Sequence, residues 1–90
     1  MSKMEILEKA GSTDILILLT KHKGKMYLTK LHEDLGKGSM STLNMRLLEL
    51  KNQGLIKDEQ ESKFGGRRYI WLTEKGEKIA KHLLDIENIL

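Results

Sequence analysis

Leu43, Leu47 and Leu50 recur at i, i+4 and i+7, a spacing that forms one buried stripe on a helix and dictates the local structure of the middle of the chain. Gly54 then ends that helix, because glycine enters the left-handed region without steric cost. The face away from the leucines carries Ser41, Thr42, Asn44, Met45 and Arg46. Short hydrogen-bonding side chains with one guanidinium are a poor mix for a plain solvated face. A second partner for this helix is therefore expected.

The flanking segments read as follows. Met1 to Ala10 hold an amphipathic fragment (Met4, Ile6, Leu7, Ala10) that is marginal as a helix without something to pack on. Ser12, Thr13 and Asp14 supply capping chemistry ahead of Ile15 to Leu19. On composition that run reads equally as a buried strand, but its continuation into Thr20 to Lys23 and the caps favour a helix from about Thr13 to His22. Lys25 to Leu28 alternate as a minimal strand, and Thr29 is placed to cap a two-turn helix from Lys30 to Leu35. Gly36 to Ser39 form a turn, with Ser39 or its neighbour capping the leucine-striped helix. Residues 55–61 and 69–72 are two extended segments joined by Lys63 to Arg68, and the adjacent Gly65 and Gly66 signal a tight hairpin. Thr73 caps a last helix from Glu74 to about Asn88, with Ile79, Leu83, Ile86 and Leu90 along one face.

Ninety residues make one small domain with a modest core. With no cysteine there is neither a disulfide framework nor a thiolate metal site, and His22, His32 and His82 lack metal-ligand spacing. No phosphate-binding loop pattern occurs, so neither an enzyme nor a cofactor is expected. The net charge of +3 suits an anionic partner without requiring one. Its distribution is more telling: Lys63, Arg67 and Arg68 cluster in the hairpin without an acid. No apolar stretch is long enough to span a membrane and no signal-peptide pattern occurs, which makes the cytoplasm the expected location.

Four pieces in order carry a resemblance: Leu28 to Gly36, Ser41 to Ile56, the hairpin around Gly65 to Arg68, and Leu72 to Gly76. Together they resemble the winged helix-turn-helix domains of small bacterial and archaeal transcription regulators, the broad MarR, ArsR and PadR group. The implied fold is mainly α with a small β-hairpin, in the order α-β-α-α-β-β-α. It comprises an arm over 1–11, a helix-turn-helix over 29–54, a wing over 55–72 and a terminal helix over 73–90. The turn from Gly36 to Met40 departs from the pattern. It is a residue longer than usual, and Lys37 stands where relatives often bury an aliphatic side chain, a site Met40 is placed to fill.

The resemblance implies that helix 40–53 lies in the major groove of double-stranded DNA, with Ser39, Ser41, Thr42, Asn44, Met45 and Arg46 at the interface. It also implies that the wing, through Lys63, Arg67 and Arg68, follows the phosphate backbone or the minor groove, with Lys37 on the flank. Arg46 suits guanine O6 and N7, Asn44 suits adenine N6 and N7, and Met45 suits a thymine methyl. Each has a plainer alternative: Arg46 paired with Glu49 or Glu33, Ser41 or Thr42 as a cap, Asn44 exposed, Met45 as filler between helices. Basic wing residues add sequence-independent affinity by releasing counterions, or else protect a strand edge. Tyr69 and Trp71 are expected at the rim, with Ile70 and Leu72 facing the core. The apolar excess at Ile79, Leu83, Ile86, Ile89 and Leu90 implies a homodimer, the alternative being a monomer that folds this helix on Ile15 to Leu19. A module for protein contacts or for non-specific nucleoid binding is the competing function. On the regulator reading, Asn44→Ala or Arg46→Ala relaxes base discrimination. Arg67→Ala instead weakens binding to every sequence and lowers the salt slope by about 1, which binding titrations at several salt concentrations measure.

Overall fold

The computed structural model describes residues 2–61 and 66–90. Its elements are α1 (Glu5–Glu8), α2 (Ser12–His22), β1 (Met26–Tyr27), α3 (Leu28–Leu35), α4 (Met40–Asn52), β2 (Ile56–Gln60), β3 (Arg68–Leu72) and α5 (Glu74–Ile89). The expected order is present, and the arm contributes one helical turn, α1. The two glycines expected at the hairpin tip straddle the edge of the described residues, because Gly65 lies outside them.

Side-chain caps set the two longest helices. Ser39 Oγ accepts from the Thr42 amide at 3.1 Å, and Thr73 Oγ1 accepts from the Gly76 amide at 3.0 Å. Helix α3 starts differently from expectation. Tyr27 is its N-cap residue and no side chain caps it, so Thr29 lies inside the helix. The extended backbone of Tyr27 passes straight from β1 into α3, leaving no separate capping residue between them. Gly36 and Gly54, with φ of 68° and 75°, close α3 and α4 in the left-handed region.

Helix α2 resolves the ambiguous apolar run. Ile15, Leu16 and Leu19 are buried at helical spacing, and around them gather Leu31 from α3, Leu43, Leu47 and Leu50 from α4, and Ile70 from β3. The strands form a three-stranded antiparallel sheet in the order β1-β3-β2. Met26 pairs with Ile70, and Ile56 with Leu72, so the buried side chains of all three strands meet on the inner face. Tyr27, Tyr69 and Trp71 belong to the other face, where the tyrosine rings lie 4.8 Å apart. Lys25 sits over Trp71 and Arg67 over Tyr27, at 4.6 and 4.7 Å from the ring centres. Among the described residues no helix is long and apolar enough to cross a membrane.

Where α5 begins, it presses on the residue that opens the wing. The Thr73 amide donates to the Leu55 carbonyl at 3.0 Å, and Thr73 Oγ1 donates to the Gly54 carbonyl at 2.6 Å. A Cβ at Gly76 would stand 1.9 Å from that same Leu55 oxygen, a position only a side-chain hydrogen can share with it. Gly76→Ala must therefore push α5 off the wing, and the expected loss is about 1–3 kcal/mol. A urea midpoint equal to that of the natural sequence would show that the close approach is dispensable.

Candidate nucleic-acid interface

The helical period divides α4 into distinct faces. The leucine stripe faces inward. Directly opposite, Ser41, Met45, Leu48 and Asn52 follow one another at i, i+4, i+7 and i+11, and all four are exposed. Two of them are large and apolar: Met45 is 59% exposed and Leu48 56%. Between these faces lie two flanks, one towards the wing and one towards the link between α1 and α2.

The wing flank carries a charged cluster centred on Asp58 of β2. Arg68 Nε of β3 donates to Asp58 Oδ2 at 2.9 Å, and Lys51 Nζ of α4 lies 2.9 Å from Oδ1. The same guanidinium reaches back to α4, with Nη1 donating to Asn44 Oδ1 at 2.8 Å. One carboxylate thus ties the helix to both wing strands. Burial pushes the Asp58 carboxyl up, but hydrogen bonds from Lys51 and Arg68 outweigh it and hold the group below the ordinary carboxylate range.

On the other flank, Arg46 Nε donates to the Ala10 carbonyl at 2.8 Å and Nη1 to Glu49. Lys9 also pairs with Glu49. The Lys9 hydrogen bond, with help from Arg46, lowers the Glu49 carboxyl against the opposing effect of burial. At the turn before α4, Lys37 is exposed and lies 3.4 Å from Asp14, while His32 Nε2 contacts the Gly38 carbonyl at 3.0 Å. Met40 is half-buried and packs against the core, which suits it to the aliphatic site that Lys37 leaves open.

These placements redirect several expectations. Arg46 does not project from the outer face; its side chain is 14% exposed and fastens α4 to Ala10 in the link between α1 and α2. Asn44 and Arg68 are bonded to each other, because both sit on the wing flank. Of the hydroxyls, Ser39 caps the helix and also donates to Thr42 Oγ1, whereas Ser41 stands on the outer stripe. Arg67 is exposed, and Lys63 lies outside the described residues. Leu48 and Asn52 were missed from the sequence. Running the same i, i+4, i+7 count from Ser41 that identifies the leucine stripe from Leu43 would have found them.

Along α5, Ile79 and Leu83 pack partly against the domain's own core. Ile86, Ile89 and Leu90 are exposed, the last two almost fully at 83% and 99%. Met4 is exposed as well, and with Ile6, Leu7 and Ile79 it lines an open groove. Among the described residues, no three His, Cys, Asp or Glu side chains come together in a way that could hold a metal ion.

Residues 10–89 match the family model described as HxlR-like helix-turn-helix. A comparison with curated proteins finds no match. Similar solved structures include one described as a possible HxlR family transcriptional factor from Thermoplasma volcanium, 21% identical, with a TM-score of 0.84 over 99% of this chain and 78% of that one. The reduced form of the transcriptional regulator YodB from Bacillus subtilis is 20% identical, with a TM-score of 0.79 over 94% of this chain and 81% of that one. A transcriptional regulator homologue from Pyrococcus horikoshii is 22% identical, with a TM-score of 0.79 over 97% and 86%. At these identities the likeness is one of fold.

The Asp58 cluster makes a pH-dependent prediction. Its folded-state value lies below the unfolded value of about 3.9, so the cluster's contribution is present above that pH. It is lost as the pH falls through the lowered folded value. Asp58→Asn is expected to cost about 1–3 kcal/mol at neutral pH. The gap between the variant and the natural sequence should narrow as the pH is lowered below about 4. Urea midpoints at neutral and acid pH measure both effects, and a gap that does not change with pH would contradict the assignment.

Proposed function

We propose that this chain, which belongs to the HxlR-like helix-turn-helix family and is a DNA-binding transcription regulator, acts as a homodimer that reads specific duplex sequences. The observation that carries this reading is the exposed outer stripe of α4, with the wing clamped beside it through Asp58, Arg68 and Asn44. A helix whose inner face is fully used by the core and whose flanks are tied down can present its outer face in one orientation to the major groove.

In this reading Ser41, Met45, Leu48 and Asn52 face the bases. Ser39 and Thr42, at the N-terminus of α4, approach a phosphate, where free helix amides favour an anion. Arg67 and Lys63 in the wing, with Lys37 at the turn, supply contacts to the backbone and hence the salt-dependent part of the affinity. Asn44, Arg46 and Arg68 act by positioning α4. Arg46→Ala is then expected to lower stability by about 1–3 kcal/mol and leave the preferred DNA sequence unchanged.

Exposed Ile86, Ile89 and Leu90, together with the groove beside Met4, support pairing of two copies through α5 and the N-terminal arm. Two α4 helices would then address half-sites about 34 Å apart on one face of the duplex. A cytoplasmic location follows from access to the chromosome of a bacterium or archaeon.

Selection of bound sites from random duplexes, repeated at two salt concentrations, tests the reading. An inverted repeat with half-sites about one helical turn apart is expected. Binding blind to sequence at both salt concentrations would instead indicate general nucleoid binding, and the absence of duplex affinity at low salt would indicate a module for protein contacts. Light scattering should give twice the mass of one chain at micromolar concentration, and a single-chain mass would refute the dimer.

A further inference from the structure

Two side chains suited to two-point base recognition, Asn44 and Arg46, are both engaged within the domain. Pairing Asn44 with adenine requires its carbonyl oxygen, which already accepts from Arg68 at 2.8 Å. Pairing Arg46 with guanine would break its bonds to Ala10 and Glu49 and draw a largely buried side chain out of its packing. What α4 offers instead is Met45 and Leu48, one turn apart on the outer stripe and both more than half exposed. Apart from Ser41 before them and Asn52 after them, the centre of that stripe has no donor or acceptor. In the major groove the one apolar group a base pair displays is the C5-methyl of thymine.

Resting on the DNA-binding reading above, we infer that Met45 and Leu48 select the DNA site by packing on thymine methyl groups, with Ser41 and Asn52 supplying the polar contacts at either end. The two positions are specificity determinants of the same helix, and Leu48 carries the contact that a list of polar residues omits. Cytosine in place of thymine removes the methyl and sets an amino group against apolar side chains. Guanine offers acceptors that no donor on this part of the stripe can meet. The recovered motif should therefore hold thymines at the centre of each half-site.

The test uses the full chain and the tightest duplex recovered from the selection, in two forms. One carries thymine, and the other carries uracil at every thymine position, which removes only the 5-methyl groups. The natural sequence should bind the uracil duplex about three- to fivefold more weakly for each methyl in contact, the change expected for losing one buried methyl-sized group. The double variant Met45→Ala, Leu48→Ala should bind both forms equally. Both residues are exposed, so the variant is expected to keep the circular dichroism spectrum and urea midpoint of the parent. Equal affinity of the natural sequence for the two duplexes would overturn the inference while leaving sequence-specific binding intact. A uracil penalty retained in full by the double variant would also overturn it, by assigning the methyl contact elsewhere. Failure of the selection to return any preferred duplex would remove the DNA-site reading itself, and the inference with it.

Discussion

The Asp58 carboxylate is the joint on which the arrangement of α4 and the wing depends. It accepts from Lys51 on α4 and from Arg68 on β3 while itself standing on β2, and Arg68 extends the network to Asn44. Three elements are thereby held in one arrangement at this edge. A half-buried carboxylate is costly to desolvate, and the donors from Lys51 and Arg68 offset that cost. The charged cluster thus fixes the wing against α4 alongside the shared core of Leu43, Leu47 and Leu50 with Ile56 and Ile70. The opposite end of the wing is fixed by a steric contact, the approach of Gly76 to the Leu55 carbonyl.

Holding α4 so firmly has a consequence for recognition. Its leucine stripe is spent on the core, Arg46 on Ala10 between α1 and α2, and Asn44 on the wing. The side chains with the richest hydrogen-bonding capacity stabilise the frame, and the apolar pair Met45 and Leu48 is left at its most forward position. In the proposed reading, scaffold and recognition duties fall on different residues of the same helix. An exposed methionine and leucine need no explanation singly, but side by side on the outer stripe of α4 they suit the partner proposed for it.

Periodic and local features were legible in the sequence because their partners lie within a turn or two. The leucine stripe, the capping roles of Ser39 and Thr73, the left-handed glycine after α4 and the hairpin order all depend on neighbours within a few residues. The pairing of Arg46 with Glu49 was legible at i, i+3, but its bond to the Ala10 carbonyl, thirty-six residues earlier, was not. Asn44 and Arg68, twenty-four residues apart, meet only once the wing folds back on the helix. Thr29 has the chemistry of a cap, yet β1 runs directly into α3 and places it one residue inside the helix. Gly76 reads as an ordinary residue of a helical first turn until the Leu55 carbonyl is brought against it.

An amide NMR titration with the selected duplex addresses most directly the claim that the outer stripe of α4 is the surface that meets DNA. Large shift changes are predicted for residues 39–52 and for the wing beside Arg67, with β1 and the outward face of α5 little affected. Changes concentrated instead on Tyr27, Tyr69 and Trp71, or along Ile86 to Leu90, with α4 unmoved, would contradict it.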